Sequence, residues 1–200
     1  MKYSSIEQAV EAIKNDKLIV LPTDTVYGIG ASPKKPENIE SILQAKGRGK
    51  HKPPPVLVSG IDQAKQIAEL DEKFIPLLQE FWPGPLTVVL SMKKSTDWDL
   101  SETNSTVALR MPDSEIALKI LELAGPLAVT SANLTSCPPA LNVQEAVQYF
   151  GDTVQAYVDG GASPLGVSST IVDLTTTPIK ILRLGVITKK DLEKFLPDVN

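Results

Sequence analysis

The sequence predicts an α/β domain with a largely parallel or mixed sheet, on three grounds. Short apolar runs of strand length alternate along the chain with stretches whose apolar residues recur at helical spacing. The chain has 200 residues, 42% of them hydrophobic and 22% charged, enough to bury a sizeable core as one domain over residues 1–200. No internal repeat, low-complexity tract or linker interrupts the alternation.

Ser5 and Gln8 form a capping-box pair at the head of Ile6, Val10 and Ile13, so a first helix covers about residues 5–15. A buried strand follows at 18-LIVL-21 and breaks into 22-PTDTVYGIGA-31, read as a polar loop that two glycines let bend tightly. Ile39, Ile42 and Leu43 mark a second helix that stops at Gly47, and 55-PVLVS-59 is the next strand. Helical stretches come at 62-DQAKQIAEL-70 and 72-EKFIPLLQEF-81, then strands at 86-LTVVLSM-92 and 106-TVALR-110, with Trp82 in FWPGP read as a packing anchor. A helix over 114-SEIALKILELA-124 leads to strand 126-PLAVT-130. A helix at 143-VQEAVQYF-150, strands 154-VQAYV-158, 169-STIVDLT-175 and 179-IKILR-183, and a last helix over about residues 188–195 complete the pattern.

Several function classes are disfavoured by what the chain lacks. It has no run of about 18 apolar residues, and its first residues are charged and amphipathic where a signal peptide needs an apolar stretch, so a cytoplasmic protein without a membrane segment is expected. A formal net charge of -4 and a pI near 5.1 argue against a broad nucleic-acid-coating surface and leave room for a local basic cleft. A single cysteine, Cys137, forms no internal disulfide, and a single histidine, His51, leaves no pair for a His-rich metal site. There is no G-x-x-x-x-G-K-[ST], and Gly28-Ile29-Gly30 lacks the third glycine of a dinucleotide fingerprint because Pro33 stands in its place. A Ser-His-Asp arrangement would have to recruit His51 from a lysine-rich loop, so chemistry here rests on positioning and charge.

Polar clusters at strand ends are the candidates for a site, because open α/β sheets bind ligands beyond the carboxyl ends of their strands. They are 22-PTDTVYG-28 after LIVL, 130-TSAN-133 after PLAV, and Arg110 and Arg183, each closing an apolar run. Taken singly, each is ordinary turn, cap or surface material. The segment 45-AKGRGKHKPPP-55 crowds Lys46, Arg48, Lys50, His51 and Lys52 onto a glycine-loosened loop. It reads either as a phosphate-binding loop or as a solvated charge run.

These motifs, taken in order as PTDTVYGIGA, KGRGKHKPPPVLV, FWPGPLTVVL, TVALRMP, TSANLT, DGG followed by SSTIVDLT, and ILRLG, resemble the YrdC/Sua5 family of threonylcarbamoyl-AMP synthases over nearly the whole chain. The resemblance implies a twisted α/β sheet flanked by helices around a concave, basic cleft. It implies condensation of L-threonine, bicarbonate or CO2 and ATP into threonylcarbamoyl-AMP with release of pyrophosphate, a step toward threonylcarbamoyladenosine in tRNA. Mg2+ would arrive with ATP, with no metal cage supplied by the protein. A downstream threonylcarbamoyl transferase would be a partner, and tRNA would bind weakly at most.

Carried over residue by residue, the resemblance makes Thr25, Ser59, Arg110 and Ser169 threonine contacts, with Arg110 the clamp for the carboxylate. Arg48, Lys52, Thr106, Ser131, Asn133 and Arg183 become nucleotide contacts, and Lys46 and Arg48 the catalytic pair. The chain departs from the family pattern where KGRP reads KGRG, LRPG reads LRLG, VEST reads VSST and SANLSG reads SANLTS. Gly49 in place of proline loosens the loop after Arg48, and Ser168 replaces an acid. It resembles the short form of the family, without an extra C-terminal domain. The alternative from another class is an RNA-binding module whose cleft holds tRNA or double-stranded RNA without catalysis; the acidic pI and one compact basic loop fit a small anionic ligand better.

Overall fold

The structure, a computed structural model, describes residues 3–47, 53–96, 98, 100 and 105–200. Arg48 and Lys52 lie outside the described residues. Helix α1 (Ile6–Lys14) starts with the expected capping box: Ser5 Oγ accepts from the Gln8 N–H at 3.3 Å, and Gln8 Oε1 accepts from the Ser5 N–H at 2.9 Å. It is followed by β1 (Ile19–Leu21), β2 (Gly28–Ala31), α2 (Pro36–Ala45), β3 (Val56–Leu57), α3 (Ile61–Ile67), α4 (Ile75–Phe81), β4 (Leu86–Ser91) and β5 (Thr106–Arg110). Then come α5 (Glu115–Ala124), β6 (Leu127–Ser131), α6 (Val143–Phe150), β7 (Ala156–Tyr157), β8 (Thr170–Asp173), β9 (Lys180–Arg183) and α7 (Lys189–Glu193).

The main departure from expectation is GIGA. It forms no loop: β2 is a fully buried strand, antiparallel to both β1 and β6. Its glycines serve close approach between strands. A Cβ on Gly30 would stand 2.6 Å from Val129 Cγ2 and 2.7 Å from the Ala128 carbonyl, and one on Gly28 would collide with Val129 Cγ1. Two helices also end earlier or start later than their periodicity suggests. Helix α3 stops because Ala68 turns extended and bridges Met92, and residues 72–74 form a 3-10 turn before α4, which carries Pro76 in its first turn, where no N–H is missed. Trp82 is buried in the main core with its indole N–H on the Leu86 carbonyl at 2.8 Å, the packing anchor expected of it.

The strands form one mixed sheet in the order β7-β1-β2-β6-β3-β5-β4-β8-β9. The β1–β7, β3–β5 and β4–β8 pairs are parallel and the remaining pairs antiparallel. Side chains alternate between its faces. Val20, Val56, Leu86, Val88, Val107, Leu109 and Val172 enter one core, which α2, α4 and α6 help to fill. Ile19, Leu21, Leu57, Leu127 and Val129 point the other way, into a smaller core closed by α1 and α5. That second layer covers the β7-to-β3 half of the sheet. The same face of β5, β4 and β8 carries Arg110, Thr87 and Ile171, which belong to neither core. A sheet face left without a helix is where a cavity forms.

Candidate active site

A cavity of about 420 Å³ opens on that face. The loop after β1 supplies Thr23, Thr25 and Tyr27, β6 supplies Val129, Thr130 and Ser131, and Thr87 and Arg110 come from β4 and β5. Ser168, Ser169, Leu182 and Arg183 close the far wall, and Pro53 and Pro55 the near one. Among the described lining residues there are two arginines and no carboxylate, so the cavity is the basic cleft expected.

Arg110 is its most constrained member, at 7% exposure. Nε donates to the Gly84 carbonyl at 3.0 Å, Nη1 to Thr25 Oγ1 at 2.8 Å and Nη2 to Asp24 Oδ1 at 2.5 Å. Burial pushes its pKa below the ordinary arginine value, Asp24 pushes it back, and the charge of Arg183 adds to the depression. The guanidinium stays charged, with one N–H left on each terminal nitrogen for a ligand. Asp24 is itself held: its Oδ1 also accepts from the Asp113 N–H at 3.1 Å, while Oδ2 is buried with no partner.

Across the cavity, Arg183 Nε donates to the Ser169 carbonyl at 3.0 Å and Nη2 to Ser169 Oγ at 3.1 Å, and burial lowers the Arg183 pKa. Tyr27, fully buried, donates its hydroxyl to the Gly161 carbonyl at 2.7 Å and accepts from the Gly160 N–H at 3.0 Å, tying the loop after β1 to the DGG segment. Burial raises its pKa.

Of the residues singled out in the sequence, Thr25, Arg110, Ser131, Ser169 and Arg183 meet on this cavity. Ser59, Thr106, Asn133 and Lys46 do not line it. The Ser59 N–H is engaged by Gln63 Oε1 at 2.9 Å as the chain enters α3. Thr106 opens β5 on the face that carries Arg110, four residues away by strand alternation. Asn133 turns its amide back onto its own loop, donating to the Leu134 and Cys137 carbonyls at 2.9 and 2.8 Å. Lys46, 3% exposed, places Nζ 2.5 Å from the Ser131 carbonyl, 2.7 Å from the Asn133 carbonyl and 3.2 Å from Asn133 Oδ1. Those contacts tie the end of α2 to the end of β6. Lys46→Met is therefore expected to lower stability by about 1 to 3 kcal/mol through the carbonyls it strands. A depressed thermal midpoint checks this; an unchanged midpoint with lost turnover would assign Lys46 to the reaction instead.

Sequence reasoning placed Asp24 and Tyr27 in a candidate cluster without giving either a role, and passed over Thr87. The signal for Thr87 was present: it is the polar residue between Leu86 and Val88, whose side chains fill the main core. Among the described residues no group of His, Cys, Asp and Glu is placed to hold a metal ion, and no helix is long and apolar enough to cross a membrane. Two arginines amid hydroxyls, Arg110 buried and Arg183 exposed, suit carboxylate and phosphate oxygens.

The Sua5/YciO/YrdC family model, whose description reads telomere recombination, matches residues 11–185. The chain belongs to this family. A protein of Mycobacterium tuberculosis (strain H37Rv) is 39% identical over 192 residues, 96% of this chain and 88% of its own length. The threonylcarbamoyl-AMP synthase of Pyrococcus abyssi is 35% identical over 97% of this chain, which spans 58% of that relative's length. The crystal structure of P. abyssi Sua5 complexed with L-threonine superposes with a TM-score of 0.92 at 35% identity, over 98% of this chain and 58% of that one. Escherichia coli YciO matches with a TM-score of 0.84 at 26% identity over 93% of this chain and 91% of its own.

Proposed function

We propose that this member of the Sua5/YciO/YrdC family is a threonylcarbamoyl-AMP synthase, a nucleotidyltransferase that joins L-threonine, bicarbonate or CO2 and ATP and releases pyrophosphate. The observation that carries the reading is the pair of arginines, the buried Arg110 and the exposed Arg183, facing one cavity with no carboxylate in its described lining. The likeness to a structure holding L-threonine supports it over the RNA-binding alternative.

In this reading the threonine carboxylate meets Arg110 and Thr25, with Ser169 beside it. Ser131 and Arg183 meet the nucleotide, together with Asn133 and Thr106 at the margin and Arg48 and Lys52 from the basic loop; Ser59 stands farther along the threonine side. The threonine amine adds to CO2 to form the N–C bond of a carbamate and gives up its proton. A carbamate oxygen then attacks the α-phosphorus, and the bond to the departing pyrophosphate breaks. Neither step needs a nucleophile from the protein, so orientation and stabilisation of developing charge carry the rate. Mg2+ bound to the polyphosphate would neutralise charge on the leaving group. The labile product calls for a transferase that takes it up, with tRNA a weak partner at most, and for work in the cytoplasm.

Pyrophosphate release that requires both L-threonine and bicarbonate tests the proposal. ATP binding without turnover would leave a nucleotide-binding protein, and salt-sensitive RNA binding without turnover would favour the RNA module. L-Serine is expected to be a poorer substrate than L-threonine by about 1 to 3 kcal/mol in kcat/KM, the worth of one methyl in a pocket. Equal kcat/KM for the two amino acids would remove the methyl from the cavity wall.

A further inference from the structure

Thr87 has no solvent exposure, yet it carries a hydroxyl on the cavity wall. Its Oγ1 lies 2.8 Å from Ser169 Oγ, and either atom fits as the donor on distance alone. The surrounding groups decide the direction. Arg183 Nη2 donates to Ser169 Oγ, and a guanidinium can only donate, so one lone pair of Ser169 is already taken. Were Ser169 to donate to Thr87, the buried Thr87 hydrogen would have no recorded acceptor, an arrangement folded proteins avoid. With Thr87 donating, the fully buried Thr87 hydroxyl is satisfied and the unmatched hydrogen falls on Ser169, which keeps 4% exposure on the cavity. Both lone pairs of Ser169 are then occupied, and its one hydrogen is left to point at a ligand.

We infer that Thr87 is a positioning residue that turns the Ser169 hydroxyl hydrogen into the cavity, so that Ser169 meets the ligand as a donor to an anionic oxygen. The inference rests on the proposed amino-acid substrate and refines it. Ser169 takes a carboxylate or carbamate oxygen. It cannot accept from the ammonium or from the hydroxyl of the amino acid, because its acceptor sites are filled by Arg183 and Thr87. The substrate oxygen that Ser169 touches therefore carries charge in the step where the carbamate forms or reacts.

The experiment measures threonine-dependent and bicarbonate-dependent pyrophosphate release for the wild type, Thr87→Val, Thr87→Ser, Ser169→Ala and the Thr87→Val/Ser169→Ala double variant, with thermal midpoints alongside. Valine keeps the shape of threonine and removes the hydroxyl. Thr87→Val is expected to raise the KM for threonine by about tenfold or more, the worth of one hydrogen bond to a charged group. Thr87→Ser should restore the KM for threonine to within about twofold, and the KM for ATP should stay within about twofold throughout, because serine keeps the donor. Since Thr87 acts through Ser169, the double variant should be no worse than Ser169→Ala alone. A wild-type threonine KM in Thr87→Val, equal losses in Thr87→Val and Thr87→Ser, or additive losses in the double variant would each overturn the inference. Absence of pyrophosphate release from the wild type would instead overturn the proposed activity.

Discussion

Arg110→Ala is expected to lose threonine binding and to lower stability by about 3 to 5 kcal/mol, because removing one member of a buried ion pair leaves the other charged and unsolvated. The partner is Asp24, whose side chain is 5% exposed against 8% for Arg110. Alanine alone would therefore confound two effects. Arg110→Lys separates them: an ammonium keeps a positive charge opposite Asp24, but it cannot reproduce the fork that reaches the Gly84 carbonyl, Thr25 Oγ1 and Asp24 together. The lysine variant should fold, bind ATP like the wild type, and bind threonine about tenfold or more weakly, since a bidentate carboxylate contact is the one lost. Calorimetric titration of the folded variant with threonine and with ATP checks this. Wild-type threonine affinity in Arg110→Lys would take the guanidinium out of the threonine site.

Strand alternation made part of this site legible before any coordinates. In TVALR, Val107 and Leu109 fill the main core, so Arg110 has to leave by the other face. The clusters after LIVL and PLAV also stand where a mixed sheet opens, and Thr25 and Ser131 line the cavity. What could not be read was set by pairs distant in sequence. Asp24 meets Arg110 across 86 residues, and Lys46 meets Ser131 and Asn133 across 85 and 87. No local spacing encodes such a contact, so the tie that Lys46 makes to the end of β6 could not be read from its basic neighbours. GIGA was misread for a related reason: two glycines suggest a turn locally, whereas here they make room for Val129 and Ala128 of a strand about a hundred residues later.

The basic loop presents the other large expected effect. Arg48→Ala is predicted to cut turnover by roughly a hundredfold, on the order of 3 kcal/mol, while changing stability by less than about 0.5 kcal/mol. Arg48 lies outside the described residues, and its neighbours in sequence carry the argument. On one side Lys46 is anchored to the end of β6, at the Ser131 carbonyl; on the other, Pro53 stands in the cavity wall. Ser131 itself lines the cavity, so the described residues on either side, Lys46 and Pro53, stand beside it. The described lining offers Arg110 and Arg183 as its cations, and Arg110 is already engaged by Asp24, Thr25 and Gly84. A triphosphate needs more positive charge than Arg183 alone provides, and a guanidinium fork supplies it where charge builds on the departing pyrophosphate. Lys50→Ala serves as the control within the same loop. Threonine-dependent pyrophosphate release and the thermal midpoint, measured on both variants, decide between a phosphate clamp and a solvated run of charge. Near-wild-type turnover in Arg48→Ala, equal to that in Lys50→Ala, would leave the loop no role in the reaction.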